Sequence, residues 1–574
     1  MLGYFTFVLH THLPYVLHHG KWPFGSDWLS EAVAECYIPI IEKLESLHQA
    51  DVPVKISMDF SPVLLEQLAD PDFPTVFNDY CDERIKLAKA DKKSFKDSEA
   101  ELLELAEYWI DFYKETKRIF NKKYSNNIIA RLKHLSHAGV LDAMTCAATH
   151  GYFPLLVDDR NIRAQIQIAI ATHEKYFGKR PKGIWLPECA YRPRYWWTPQ
   201  TASARYSEFS KERAGIEEIL AEFDLRYFIV EGSLTKGGKA MPSYHWNSNN
   251  HSAEDSFDWA KYFFQTSEHE DRSLSNIYAV KSTLREIPGK LPVVFSRDRK
   301  TSEQVWSGEI GYPGHPNYLE FHKKHHNSGL RYWKVTGRGV DIGGKKLFEP
   351  TATDATLEIQ ATHFVNLVKT TLHEHRAKTG KPGVVCSPFD TELFGHWWYE
   401  GPGFLKLVFE KLSKDNDIVL SNCAEIIEAL PNPEIIALPE GSWGEGGGHF
   451  VWQNQKVAWT WDDIYSLEKK FLDTLNEYFQ IANPAKFLTK ILKQSARELL
   501  LLEASDWQFL ITTDSATEYS TDRFEEHRRR LTKLLTISER VMNGKKQTPK
   551  DKDYLELVSE DDRLFEEIDL SWWL

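Results

Sequence analysis

Two acidic residues, Glu188 and Asp390, lie in segments of the same form and are the first candidates for chemistry. Each follows a short apolar run and a proline, and each lies among aromatic residues. A proline ends the hydrogen bonding of a strand because it has no N–H to donate, so both acids are predicted at strand ends. Pairs of carboxyl groups cleave glycosidic bonds, and aromatic faces pack against apolar sugar surfaces. The two segments therefore favour chemistry on carbohydrate.

Histidines at predicted strand ends form a second group of candidates. His10 and His12 follow the first apolar run of the chain, and His150 follows a later one. Together with Asp59 they have the composition of a zinc site, because two or three histidines and an aspartate are adequate ligands. Their spacing neither requires nor excludes a metal. A metal-dependent hydrolase of the deacetylase type is therefore the rival hypothesis from another class.

A glycine-rich segment, residues 441–452, carries Trp443 and Trp452. It lacks the Lys-Ser/Thr pair that follows the glycines of phosphate-binding loops. We interpret it as a flexible loop that presents aromatic faces to a ligand. Further on, Asp506 lies at the predicted end of a helix, where an acid is unfavourable beside the negative end of the helix dipole. That position indicates a functional task for Asp506.

The elements that must position these residues are seven short apolar runs, each with a polar or ionisable residue at its C-terminal end. Helical stretches lie between most of them. This alternation is typical of a parallel β/α barrel whose chemistry lies on the C-terminal rim. We predict an α/β fold, an irregular (β/α)7-type barrel with an inserted excursion and a C-terminal all-α domain. The runs are residues 4–9, 54–58, 143–149, 183–186, 226–230, 292–295 and 383–386.

Four ranges describe the predicted domain organisation. Residues 1–188 are the first part of the barrel, and residues 189–285 are an inserted excursion near the site. Residues 286–415 are the second part of the barrel. Residues 416–574 are a C-terminal helical domain that contributes the tryptophan-bearing loop to the site. The chain ends in Trp572, Trp573 and Leu574, an apolar terminus that either docks on the body or serves as a contact point.

Composition excludes several classes of function. The chain has 574 residues and a formal charge of −13, too long for one ordinary domain and too acidic for nucleic acid as its main partner. No apolar run reaches membrane-spanning length, and no signal peptide is evident. Six scattered cysteines without a paired motif are expected to be reduced thiols. We therefore expect a cytoplasmic protein; its oligomeric state is not predictable.

Several motifs in combination resemble glycoside hydrolase family 57, in particular its α-1,4-glucan branching enzymes, over nearly the whole chain. The matching stretches are residues 10–15 (HTHLPY), 148–152 (ATHGY), 185–191 (WLPECAY), 295–298 (FSRD), 305–307 (VWS) and 389–398 (FDTELFGHWW), with 442–445 (SWGE) and 505–507 (SDW) nearer the C-terminus.

The resemblance implies a retaining enzyme that cleaves α-1,4 links of an α-glucan, such as amylose or a glycogen-like polysaccharide, and transfers the chain to a 6-hydroxyl. Glu188 would be the nucleophile and Asp390 the general acid/base, with no metal and no cofactor. His10, His12 and His150 would line the donor subsite. The other residues that would bind the glucan are Trp28, Arg297, Trp306, Trp397, Trp443, Trp452 and Asp506.

The segment between Glu231 and Asp298 is longer than in the relatives. In the branching enzymes a loop of this region carries a tyrosine that favours transfer over hydrolysis, and Tyr244 and Tyr278 are both candidates for it. An α-amylase-like glucan hydrolase with little branching is therefore the alternative within the family. A catalytically silent glucan-binding protein is a third hypothesis.

Overall fold

The computed structural model describes residues 1–96, 99–199, 210–237 and 272–574. Its strands, in chain order, are β1 (Gly3–Thr11), β2 (Ile56–Phe60), β3 (Leu141–Thr145), β4 (Gly183–Ile184), β5 (Tyr195–Trp197), β6 (Lys211–Arg213), β7 (Tyr227–Val230), β8 (Ile277–Val280), β9 (Val293–Ser296), β10 (Gly383–Asp390), β11 (Ile418–Leu420) and β12 (Glu434–Ile436).

Seven parallel strands form the barrel, in the order β10-β1-β2-β3-β4-β7-β9. The backbone N–H of Asp298, just beyond β9, donates to the carbonyl of Cys386 in β10 at 2.9 Å and joins the two ends of the sheet. The predicted (β/α)7-type barrel is confirmed, since each of the seven apolar runs overlaps a barrel strand. In its register His10 lies opposite both Asp390 and Asp59, so these three residues meet at the C-terminal rim.

Helices cover the outside of the barrel, as parallel strands require. Between the strands and before residue 430 they are Ser26–Ala32, Ile38–Gln49, Pro62–Ala69, Phe73–Ser94, Ala100–Arg118, Ile128–His137, Asp159–Phe177, Ile216–Glu222, Gly232–Thr235, Arg299–Trp306, Asp354–Thr379, Gly401–Leu412 and Cys423–Ala429. The C-terminal helices are Ala458–Tyr478, Lys486–Leu502, Asp506–Thr512, Thr517–Met542 and Pro549–Asp561.

The structure corrects the expected domain boundaries. Range 189–285 is not a simple insertion, because it contains the barrel strand β7 and also β8, which pairs antiparallel with β9. Range 416–574 does not begin with the helical domain, because β11 extends the sheet at β1 and β12 pairs with β8. Strands of three or four residues carry little periodic signal, which is why the sequence placed the boundary too early.

The C-terminus docks on the body of the protein. Trp573 is 1% exposed, and its ring lies 5.5 Å from that of Phe471 in the helical domain. Arg563 forms ion pairs with Asp70 and Asp72 of the barrel. The helical domain is therefore fixed to the barrel by both apolar and charged contacts. None of the described helices is long and apolar enough to cross a membrane.

Candidate active site

Glu188 lies in a tight turn directly after β4. Its φ of +61° is in the left-handed region, which is uncommon for a residue other than glycine. The turn is held from outside the barrel: the backbone N–H of Trp443 donates to the carbonyl of Glu188 at 3.0 Å. Tyr191 and Gly441 also exchange two backbone hydrogen bonds, of 2.8 and 3.1 Å. The 441–443 segment therefore fixes the conformation from which Glu188 projects.

The Glu188 carboxyl is paired with an indole. Nε1–H of Trp443 donates to Oε2 of Glu188 at 2.6 Å, while Nδ1 of His150 lies 3.9 Å from Oε1. Burial raises the pKa of Glu188 to about 8; the Trp443 hydrogen bond opposes that rise, and the negative charges of Asp390 and Asp506 add to it. A carboxyl group in this setting takes up a proton readily near neutral pH.

Asp390 is the last residue of β10, beside His10 in the sheet register. Burial raises the pKa of Asp390, and the charge of Arg297 opposes that rise. Burial thus raises the pKa of both carboxyl groups, and the negative charge of Asp390 adds to the rise at Glu188. Two carboxyl groups in one site can divide the roles of proton donor and carboxylate between them.

The three histidines form a stacked cluster. The ring centroids of His12 and His150 are 4.1 Å apart, and the His10 ring lies 4.8 Å from that of Trp185. Nε2 of His10 lies 3.1 Å from Nε2 of His150. Burial lowers the pKa of His10 to about 3 and that of His150 well below its usual value. Both side chains are therefore neutral at physiological pH.

The four residues of the metal hypothesis do not all meet at one point, although His12 and His150 bring ligand atoms within 4.8 Å of each other and of Asp506. Asp59 is fully buried behind His10, and both of its oxygens lie 3.0 Å from Nδ1 of that histidine. Nε2 of His12 is 3.1 Å from both oxygens of Asp506, and the Nδ1 atoms of His12 and His150 lie 2.8 Å from serine hydroxyls. Every ring nitrogen of the cluster thus has a protein partner. This arrangement favours a hydrogen-bonded cluster over a metal site.

All of the predicted site residues line one cavity of about 830 Å³ at the C-terminal rim. They are the two acids Glu188 and Asp390, the three histidines His10, His12 and His150, and the seven other predicted binding residues Trp28, Arg297, Trp306, Trp397, Trp443, Trp452 and Asp506. The cavity brings together residues that are up to 496 positions apart, from His10 to Asp506. Their individual roles stay predictions.

Aromatic side chains cover part of the cavity wall. The rings of Trp306 and Trp397 are 5.8 Å apart, and Trp397 is 39% exposed. The guanidinium of Arg297 lies 5.6 Å above the Trp443 ring. These faces are accessible for stacking on a sugar ring.

Trp452 differs from the expectation of a flexible loop that presents its face to a ligand. The side chain is only 1% exposed, and its ring stacks on Tyr152 with a centroid distance of 4.6 Å. A Cβ atom at Gly444 would lie 2.7 Å from the Trp452 ring. This glycine therefore permits close packing, and the interpretation of Trp452 as an open platform is wrong.

Asp506 also differs in its local setting. It is the first residue of helix Asp506–Thr512, where an acid is favourable beside the positive end of the dipole, so the argument from an unfavourable position was wrong. Its contact with His12 instead joins the helical domain to the barrel rim.

Of the two candidate tyrosines of the longer segment, the structure describes only Tyr278. Tyr278 lies in β8, is 2% exposed, donates its hydroxyl to the Ser273 carbonyl, and is not among the cavity-lining residues. Tyr244, like most of the 232–273 segment, lies outside the described residues.

Sequence reasoning missed several polar residues of the cavity, among them Glu31, Lys324, Glu392 and His396. Glu392 accepts a hydrogen bond from the Tyr37 hydroxyl at 2.5 Å, and burial raises its pKa to about 8. Glu392 and His396 follow Asp390 by two and six residues. That proximity was the available signal for both.

Comparison with known proteins gives the following similarities. The model of the family described as Glycosyl hydrolase family 57 matches residues 6–439, and that of the 1,4-alpha-glucan branching enzyme C-terminal domain matches residues 463–573. A 1,4-alpha-glucan branching enzyme of Thermococcus kodakarensis is 40% identical over 531 residues, covering 92% of this chain and 73% of that protein.

Solved structures are similar over the full chain. A GH57-type branching enzyme from Pyrococcus horikoshii superposes with a TM-score of 0.87 at 37% identity, covering 100% of this chain and 97% of the other. The alpha-amylase AmyC from Thermotoga maritima superposes with a TM-score of 0.79 at 25% identity, covering 100% and 99%.

Proposed function

The chain belongs to glycosyl hydrolase family 57, and from that premise we propose that it is a 1,4-alpha-glucan branching enzyme. It cleaves an α-1,4 link of an α-glucan and transfers the released chain to a 6-hydroxyl with retention of configuration. The observation that carries the proposal is the pair of partly buried carboxyl groups, Glu188 and Asp390, in one cavity with the exposed Trp397. The match of residues 463–573 to the branching-enzyme C-terminal domain supports transfer in addition to cleavage.

The first step forms a glycosyl-enzyme. An oxygen of Glu188 attacks the anomeric carbon as the bond from that carbon to the leaving oxygen breaks, and Asp390 gives its proton to the leaving oxygen. This step uses the form of the pair in which Asp390 holds the proton and Glu188 is charged. The N–H of Trp443 on Glu188 favours that form, because it is a hydrogen bond to the carboxylate.

The second step releases the enzyme. Asp390, now a carboxylate, accepts the proton of a glucan 6-hydroxyl while the hydroxyl oxygen displaces Glu188 from the anomeric carbon. Two displacements at one carbon give net retention, so the new α-1,6 link has the configuration of the link that was cleaved. Water at the same position would give hydrolysis. A glucan acceptor reacts with the glycosyl-enzyme in preference to water only when the site holds the acceptor in place and keeps water out.

The alternative within the family is an α-amylase-like hydrolase with little branching. The structural similarity to the Thermotoga maritima alpha-amylase keeps that alternative open to test. The decisive experiment is incubation of the purified protein with amylose, followed by enzymatic debranching and counting of α-1,6 links. We expect α-1,6 links to accumulate while few new reducing ends appear. Amylose converted only to shorter linear chains would replace the branching assignment with hydrolysis.

A further inference from the structure

His396 lies in the active cavity, in the segment that follows Asp390 at the end of β10. Its Nδ1 is 3.1 Å from Oε2 of Glu35 and 3.7 Å from Oε1 of Glu31. Its other ring nitrogen, Nε2, has no hydrogen-bond partner among the residues that the structure describes. The side chain therefore has one nitrogen bound to protein and one available to a ligand.

Glu35 is held in a fixed position behind His396. The carboxyl is 4% exposed and forms an ion pair of 2.8 Å with Nη2 of the equally buried Arg331. Arg331 also donates through Nη1 to the backbone carbonyl of His396 at 2.9 Å. Burial alone would raise the pKa of Glu35, but the charge of Arg331 and the hydrogen bond from His396 hold it below its usual value. Glu35 is therefore a carboxylate that accepts a hydrogen bond from Nδ1–H of His396.

This arrangement fixes the tautomer of the imidazole. With Nδ1–H donated to Glu35, Nε2 of a neutral ring carries a lone pair and accepts a hydrogen bond. The second-sphere carboxylate also fixes the orientation of the ring, as it does for histidines in other sites. Because Arg331 already neutralises Glu35, the Glu35 carboxylate does not by itself require a charged imidazole.

The surroundings of His396 match a sugar chain. The adjacent Trp397 is 39% exposed and lies 5.8 Å from Trp306, and Phe321 contacts the His396 ring edge-on at a centroid distance of 5.1 Å. A polar nitrogen next to exposed aromatic faces can hydrogen-bond a sugar hydroxyl while the faces pack against its apolar side.

We infer that His396 is a specificity-determining residue that accepts, through Nε2, a hydrogen bond from a hydroxyl of the glucan acceptor, and that Glu35 is its positioning residue. The inference rests on the proposed function. A general acid/base must contact the oxygen of the leaving chain and later that of the acceptor, so these chains pass on the Asp390 side of the cavity. His396 and Trp397 lie on that side, since they belong to the loop that Asp390 begins.

The test compares the wild-type chain with His396→Asn. The asparagine amide can still donate to Glu35 in place of Nδ1–H, but nothing replaces Nε2. Amylose serves as donor, maltoheptaose is added in increasing amounts as acceptor, and transfer products and released reducing ends are both quantified. We expect the acceptor concentration for half-maximal transfer to rise by about tenfold, the loss of one hydrogen bond, while hydrolysis changes less than about twofold. The ratio of α-1,6 links to reducing ends should fall accordingly.

Two further variants separate binding from structure. His373→Asn, at an exposed histidine of helix Asp354–Thr379, should leave both rates unchanged. Glu35→Gln should raise the acceptor requirement in the same direction as His396→Asn, because the ring loses its fixed tautomer.

An unchanged acceptor requirement in His396→Asn, or an equal fall of transfer and hydrolysis, would overturn the inference while the wild-type enzyme still branches. A wild-type enzyme that forms no α-1,6 links would instead overturn the proposed function on which the inference rests.

Discussion

Trp443 binds Glu188 twice, by its indole N–H to a carboxyl oxygen at 2.6 Å and by its backbone N–H to the carbonyl at 3.0 Å. The tryptophan belongs to a segment that follows the last strand of the sheet, whereas the glutamate belongs to the barrel. A residue 255 positions away thus positions the proposed nucleophile and also lowers the pKa of its carboxyl group.

The first prediction follows from this contact. Trp443→Phe removes the N–H but keeps an aromatic face. Because a hydrogen bond to the carboxylate lowers its pKa, its loss raises the pKa of Glu188 further above its usual value. Glu188 must be charged to attack, so activity is lost as pH falls through the pKa of Glu188, and that acid limb moves to higher pH. We expect kcat to fall roughly tenfold to hundredfold, the worth of a hydrogen bond to a charged group.

The measurement is the pH dependence of kcat on amylose. Trp459→Phe is the matched control, because the Trp459 indole donates to the Lys456 carbonyl, in the helical domain. The control should keep the wild-type profile. A Trp443→Phe enzyme with a lower kcat but an unshifted acid limb would contradict an effect of the Trp443 N–H on the pKa of Glu188. The role of Trp443 would then be limited to stacking.

The second prediction separates the roles of the two acids by azide rescue. In Glu188→Ala, azide takes the place of the missing nucleophile and displaces the leaving chain directly, so a β-glycosyl azide forms by one inversion. In Asp390→Ala, a substrate with a good leaving group still forms the glycosyl-enzyme, and azide then releases it as the α-glycosyl azide by a second inversion. NMR of the products gives the anomeric configuration. An α-glycosyl azide from Glu188→Ala and a β-glycosyl azide from Asp390→Ala would instead make Asp390 the nucleophile and Glu188 the general acid/base.

The third prediction concerns Trp452, whose ring is packed between Tyr152 and Gly444. Trp452→Ala leaves a cavity in the interior and should cost about 3–5 kcal/mol of stability. Branching and hydrolysis should then fall in equal proportion, since the loop that carries Trp443 loses its support. Thermal unfolding and the ratio of α-1,6 links to reducing ends measure both effects. A stable variant with a selective loss of branching would show that Trp452 contacts the acceptor after all.

The barrel was predictable because each of its strands has a local sequence pattern. An apolar run of four to seven residues with a polar residue at its end, as at Glu188 and Asp390, predicts both the strand and the position of the site residue. The domain boundary was not predictable, because β11 and β12 have three residues each and are defined by partners far away in the chain.

The site was predictable where a residue type and its neighbours in the sequence indicate the chemistry. It was not predictable where a hydrogen-bond or packing partner far away in the chain determines what a residue does. His396 acquires its tautomer from Glu35, 361 positions earlier, and no pattern around His396 indicates that contact. Trp452 was misread for a related reason. The glycines near it suggested mobility, whereas Gly444 gives the indole the space to pack.

The last prediction concerns metal dependence. A metal-dependent hydrolase would need free ring nitrogens on His10, His12 and His150, because metal ligands bind through an unshared lone pair. In this structure the Nε2 atoms of His10 and His150 face each other at 3.1 Å, and Nε2 of His12 is bound to Asp506. We therefore expect glucan transfer to be unchanged after exhaustive treatment with a chelator. The enzyme is dialysed against chelator, its metal content is measured by mass spectrometry, and transfer is assayed in metal-free buffer. Loss of activity that zinc restores would favour the metal-dependent alternative and would require the histidine cluster to rearrange around the ion.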